Sequence, residues 1–288
     1  MSIQQGTGDE LVTTYKDAVT RTVSVGGDQI AYRDLGPRTG IPVVFLTHLS
    51  ANLDNWDPRV VDGIAAQRRV ITVDYRGVGG SMGAVRDSVE AMADDAAAFI
   101  RALGLDRVDI LGLSLGGMVA QSLTLRHQEL VRKLILAGTG PAGGEGIQNV
   151  TRIANRDLAR ALLTFQDPKV FLFFTRTLNG KRSAADFLAR LKERTVGRDR
   201  TITFPGYRTQ LKAIHHWGLQ DPDDLSVIRQ PVLAVNGDND RMVPTINTKD
   251  LAGRIPGSEL IIYPDAGHGG IFQHHRSFVT SALDFLDR

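Results

Sequence analysis

Three short stretches of this 288-residue chain hold residue types that can do covalent chemistry together: a serine between glycines, an aspartate in a polar turn, and a histidine in a Gly-rich turn. The serine is Ser114, within the run from Gly112 to Gly117 that reads GLSLGG. Arg107 to Gly112 reads as a short apolar strand, and Met118 to Arg126 has helical periodicity. A G-x-S-x-G set between a strand and a helix is a nucleophile elbow. The serine occupies a strained turn, and Gly112 and Gly116 let neighbouring backbone pass close to it. The helix beginning near Leu115 turns its free N–H groups and positive dipole end toward the serine, where an anion is stabilised.

A serine hydroxyl is a poor nucleophile unless a base takes its proton, and that base works best when a carboxylate fixes its tautomer. Both partners follow strand-like runs. Asp240 lies in GDNDRMVP after the run from Pro231 to Asn236, and His268 lies in PDAGHGG after the run from Glu259 to Tyr263. In a parallel sheet these turns share the carboxyl edge with Ser114, where ligands bind in open α/β folds. Asp238 and Glu145 are the rival acids.

The elements that must position these groups alternate along the chain. Residues 21–25 and 29–33 alternate apolar and polar around Gly26, Gly27 and Asp28, the pattern of a β-hairpin. Residues 42–47 form the continuous apolar run of a covered central strand. A helix over 57–67, a strand over 69–74, a helix over 88–103, the elbow strand and helix, and a strand over 131–137 follow. This order implies βαβ units and an α/β fold with a mostly parallel sheet. Between about 140 and 228 the pattern predicts helices alone, over 150–165, 168–178, 183–193 and 209–217. Strand and helix then resume over 231–236, 245–254, 259–263 and 272–286. The expected division is an arm over 1–18, a core over 19–139 and 229–288, and a helical lid insertion over 140–228.

Taken in chain order, Ser114, Asp240 and His268 in their motifs resemble the triad of the α/β-hydrolase superfamily, and the resemblance extends from about residue 20 to the end. Partly through DYRGVGGS, Asp74 to Ser81, the chain is most similar to the small esterase, cofactor-free haloperoxidase and enol-lactonase-like group. The resemblance implies Ser114 as nucleophile, His268 as base, Asp240 as its orienting acid, no cofactor, and hydrolysis of a small, largely apolar carboxylic ester or lactone through an acyl-enzyme. Transfer of the acyl group to peroxide or another acceptor, and a ligand-binding receptor on the same fold, are the alternatives it leaves open. The family usually has His-Gly-x after its third strand. An ungapped alignment places Thr47 at the His, His48 at the Gly and Leu49 at x, so that the Leu49 and Leu115 N–H groups would form the oxyanion hole. The missing glycine is a departure: His48 either points at the pocket or satisfies a backbone carbonyl.

Composition bounds the rest. Charged residues at 23% and hydrophobic residues at 42% are ordinary for a folded soluble chain, and a formal net charge of +2 gives no argument for nucleic acid. With no cysteine there is no disulfide, thiol nucleophile or cysteine metal site, which suits a reducing compartment; the cytoplasm is the expected location. No apolar run is long enough to span a bilayer, so no membrane partner is expected. Gly77 and Gly79 begin a G-x-G-x-x-G, but Met82 stands where its third glycine belongs, which argues against a dinucleotide cofactor. His215 and His216 have no carboxylate or cysteine pattern to complete a metal site, and His274 and His275 read as exposed. The basic run from Lys181 to Arg200 reads as a solvated helix face. Phe165, Phe171, Phe173, Phe174, Phe204, Tyr207 and Trp217 should pack the insertion onto the core, some of them lining a pocket. The expected partner is a small-molecule ester or lactone, and self-association as a homo-oligomer is left open.

Overall fold

The computed structural model describes residues 14–288. Gly26 and Gly27 take φ of 59° and 91°, the two-residue turn whose twist suits a hairpin, and join β1 (Arg21–Val25) antiparallel to β2 (Asp28–Leu35). Then come β3 (Val43–Leu46), α1 (Pro58–Ala65), β4 (Val70–Val73), α2 (Val89–Ala102), β5 (Val108–Leu113), α3 (Leu115–Arg126) and β6 (Val131–Ala137). Four helices follow without a strand: α4 (Val150–Thr164), α5 (Lys169–Phe173), α6 (Leu178–Arg190) and α7 (Phe204–Trp217). The sheet order closes with β7 (Val232–Gly237), α8 (Ile246–Arg254), β8 (Glu259–Tyr263), α9 (Gly270–Gln273) and α10 (His275–Asp287).

Eight described strands form one sheet in the order β1-β2-β4-β3-β5-β6-β7-β8. β2 pairs antiparallel with β4, and every pair from β4 through to β8 is parallel. The strands β3, β4 and β5 are buried at every residue, as their unbroken apolar sequences require under helices on both faces. α3 is buried from Leu115 to Thr124, wedged against β3, β5, β6 and α2.

Helix boundaries differ from the sequence reading where capping overrides periodicity. Thr203 accepts from Gly206 N–H and Pro205 sits in the first turn, so α7 begins at Phe204 rather than 209. Thr177 caps α6 in the same way through Gly180 N–H, moving that helix from 183–193 to 178–190. α5 stops at Phe173, because the Phe173 carbonyl accepts the Gly269 N–H at 2.9 Å and Phe174 turns extended. The helix expected over 272–286 breaks at His274 into α9 and α10.

Ion pairs fasten the α4–α7 stretch to the sheet. Arg190 grips the buried Asp57 with its Nη2 at 2.7 Å, and the fully buried Arg33 bonds both Asp54 at 2.6 Å and Asp199 at 2.9 Å. Arg194 donates to the Lys16 and Ala18 carbonyls at 2.8 Å each. The basic run is therefore not a solvated face at positions 190 and 194. Stacked rings continue the seam, with Phe187 on Phe272 at 4.7 Å and Phe272 edge-on to Trp56 at 6.3 Å. Trp217 is buried and donates to the Gly140 carbonyl, whereas Phe165 stands 97% exposed. Most of the expected arm, residues 1–13, lies outside the described residues. From Tyr15 onward it is anchored, the Tyr15 hydroxyl reaching the Leu53 carbonyl at 2.7 Å. No helix among the described residues is long and apolar enough to cross a membrane.

Candidate active site

Ser114 sits between β5 and α3 with φ 57° and ψ −116°, outside the regions that side chains favour, at a cost of about 1–3 kcal/mol. The turn is over-determined. Ser114 N–H donates to the Ala137 carbonyl at 2.8 Å, and the Ser114 carbonyl accepts from Thr139 Oγ1 at 2.8 Å and Gly117 N–H at 2.9 Å. A Cβ on Gly116 would overlap the Leu46 carbonyl oxygen, and one on Gly112 would overlap the Gly116 carbonyl. Both glycines are thus fixed by close backbone approach.

His268 Nδ1 lies 2.7 Å from Asp240 Oδ2. The other oxygen of Asp240 accepts the Met242 and Val243 N–H groups at 2.8 and 3.0 Å, so the turn after β7 orients the carboxylate before the imidazole meets it. His268 and Asp240 are 3% and 7% exposed. The flanking glycines make room for α5: a Cβ on Gly267 would press on the Phe173 carbonyl, and one on Gly269 on the Phe173 side chain. The rival acids are elsewhere. Asp238 accepts from Ala266 N–H and Asn239, and Glu145 is exposed.

Ser114 and His268 open onto one cavity of about 390 Å³ with largely apolar walls, among them Met118, Val150, Leu158 and Ile214. Leu49 borders it, and neither the Leu49 nor the Leu115 N–H donates to any acceptor among the described residues. The fold, the elbow and this pairing agree with one family: the sequence model of the alpha/beta hydrolase fold matches residues 41–275. The chain belongs to the α/β-hydrolase family. A solved alpha/beta hydrolase fold protein from Chitinophaga pinensis is 36% identical with a TM-score of 0.90, covering 95% of this chain and 98% of that one. The 2-hydroxy-6-oxononadienedioate/2-hydroxy-6-oxononatrienedioate hydrolase of Klebsiella pneumoniae subsp. pneumoniae is 33% identical over 81% of this chain and 80% of its own length. Est816, described as an N-acyl homoserine lactone degrading enzyme, is 27% identical with a TM-score of 0.73, covering 92% of this chain and all (100%) of its own.

In this α/β-hydrolase the residue at the departure, His48, does both things the sequence left open. Its ring borders the cavity, edge-on to Phe173 at 4.9 Å, and its Nδ1 bonds the Leu49 carbonyl at 2.9 Å. Burial pushes its pKa down to about 3, so the ring is neutral. The aromatic insertion residues divide: Phe173, Phe204 and Tyr207 line the cavity, and Phe174 is buried behind it. Asp74 in DYRGVGGS is a brace, accepting Leu53 and Gly80 N–H at 2.9 Å each, and burial raises its pKa well above the carboxylate range. His274 and His275 are half-buried rather than exposed, His274 being stacked on Tyr263. No group of three or more His, Asp or Glu placed to hold a metal occurs among the described residues. Phe173, expected only as one of several aromatics of the insertion, packs on both imidazoles, and Gln210, whose Oε1 takes the Ser50 N–H, had no sequence signal at all. Both are far from the site in sequence and belong to no motif.

Proposed function

We propose that the protein is a serine hydrolase that cleaves a small, largely apolar carboxylic ester or lactone through an acyl-enzyme. The reading rests on one observation: a buried imidazole, fixed by a carboxylate at 2.7 Å, borders the same apolar cavity as a serine strained at the head of a helix. Ser114 Oγ attacks the carbonyl carbon as His268 takes its proton. The Leu49 and Leu115 N–H groups stabilise the oxyanion, and His268 returns the proton to the leaving oxygen. Water activated by His268 then releases the acid. The helices of 140–228 act as a cap whose residues set the size of the acyl pocket, and the cysteine-free chain works in the cytoplasm. Relatives named for degrading an N-acyl homoserine lactone and for hydrolysing 2-hydroxy-6-oxononadienedioate show how widely such sites vary.

The test is steady-state turnover of p-nitrophenyl esters of increasing acyl length and of lactones, with fluorophosphonate labelling. Wild type is expected to turn over and to label at one serine, and Ser114→Ala to do neither while remaining folded. Turnover that survives Ser114→Ala would falsify the assignment.

A further inference from the structure

The Leu49–Ser50 peptide is held on both of its polar sides by side chains. Its carbonyl accepts from His48 Nδ1 at 2.9 Å, and its N–H donates to Gln210 Oε1 at 2.8 Å. His48 comes from the loop after β3, and Gln210 from α7, 160 residues away along the chain from Ser50. Both are buried, at 5% and 0% exposure, and each leaves its remaining nitrogen without a partner. An unpartnered buried polar atom costs about 1–3 kcal/mol, which an apolar residue at either position would avoid. The bond each side chain makes to this peptide is what the polar residue adds.

The peptide needs holding. Ser50 takes φ 59°, a conformation unfavourable for any residue with a Cβ, and such a conformation persists only where its surroundings impose it. The family pattern relies on a glycine in this loop, and here His48 stands in its place. The Leu49 carbonyl can only accept, so Nδ1 carries the imidazole hydrogen, and the buried ring stays neutral with that hydrogen in place.

We propose that His48 and Gln210 are positioning residues for the oxyanion hole: by fixing the Leu49–Ser50 peptide from opposite sides they hold the adjacent Leu49 N–H on the substrate oxyanion. The inference rests on the serine hydrolase reading. It makes the hole dependent on the insertion, because Gln210 is delivered by α7; a hydrolase with α7 displaced binds ester but turns it over slowly.

The experiment measures kcat and KM for p-nitrophenyl butyrate and the affinity for 1-butaneboronic acid, whose serine adduct places an oxygen in the hole, in wild type, His48→Phe, His48→Asn, Gln210→Leu and the His48→Phe/Gln210→Leu double variant. Circular dichroism and melting temperature control for folding. His48→Phe and Gln210→Leu are expected to lower kcat and boronate affinity by roughly 10- to 100-fold while KM changes by less than about 3-fold. His48→Asn, whose amide can still donate to the Leu49 carbonyl, recovers most of the loss. The double variant falls little below the worse single one, since both act on one peptide. Unchanged kcat, losses that add in full, or an Asn variant no better than Phe overturn the proposal. Losses that track the melting temperature alone also overturn it. If wild type neither labels with fluorophosphonate nor binds the boronate, the hydrolase reading itself has failed, a result separate from any outcome among labelled variants.

Discussion

Asp240 gives its two oxygens different tasks. Oδ1 is occupied by two backbone N–H groups, which leaves Oδ2 for the imidazole. In Asp240→Asn the amide oxygen must stay with those N–H groups, so the NH₂ faces His268 Nδ1 and forces the hydrogen onto Nε2, the wrong tautomer for a base. We expect kcat on any ester the wild type cleaves to fall by about 10⁴-fold with the melting temperature little changed, as measured by stopped-time assays at high enzyme concentration. His48 makes a different prediction. Its pKa is lowered from an ordinary 6.5 to about 3 by burial, so the unfolded chain binds a proton that the folded chain refuses. Its contribution is fully present above pH 6.5 and is lost as pH falls from there toward about 3. Urea midpoints measured from pH 7 to pH 4 should drop more steeply for wild type than for His48→Asn, and parallel curves would refute this. At this scale the turn at Ser114 and the pairing of His268 with Asp240 were legible because each of these residues follows a strand in a recognisable turn. Gln210 was not, because a buried glutamine in a helix of the insertion looks like any polar position until the loop it meets has been placed.

Secondary structure was legible wherever burial imposes a pattern. The strands β1, β6 and β8 match their sequence-derived limits, and the others agree to within a residue at most ends. The misplaced helices are those whose starts are set by a single threonine, Thr177 or Thr203, ahead of a sequence with weaker periodicity. α5 was over-extended because nothing in the apolar run Val170 to Phe174 says that the Phe173 carbonyl is wanted by the His268 loop. One helix end invites a test. Phe165 closes α4 in the left-handed region with φ 54°, and its ring is almost wholly in water. Phe165→Gly removes the Cβ conflict without emptying any core, so the protein should gain about 0.5–1 kcal/mol, or roughly 1–4 °C in melting temperature. A loss of stability on calorimetry would mean that the ring is engaged after all.

At the scale of the whole molecule, alternation of strand and helix pointed to the sheet, and the silence of strands after β6 pointed to a helical insertion. The fastening of that insertion was hidden. Asp57 with Arg190, and Arg33 with Asp199, join positions more than a hundred residues apart. Charge patterning alone assigned Arg190 to solvent. The acidic partners of both arginines could be chosen only after the turns beyond β3 and the end of α6 had been brought together.

α3 has no water-facing side for most of its length, with layers against both of its flanks. Its amides cannot meet solvent by fraying or by a local breath of the surface; the sheet has to come apart first. Deuterium uptake at Val119 to Thr124 should therefore be the slowest in the protein and should slow or quicken in step with global stability across denaturant. Faster uptake there than in β5 or β6 would show that the helix opens by itself. The residue proposed to do the chemistry is thus mounted on the last part of the chain to let go, and in a partly opened population the nucleophile's setting outlives the surface around it.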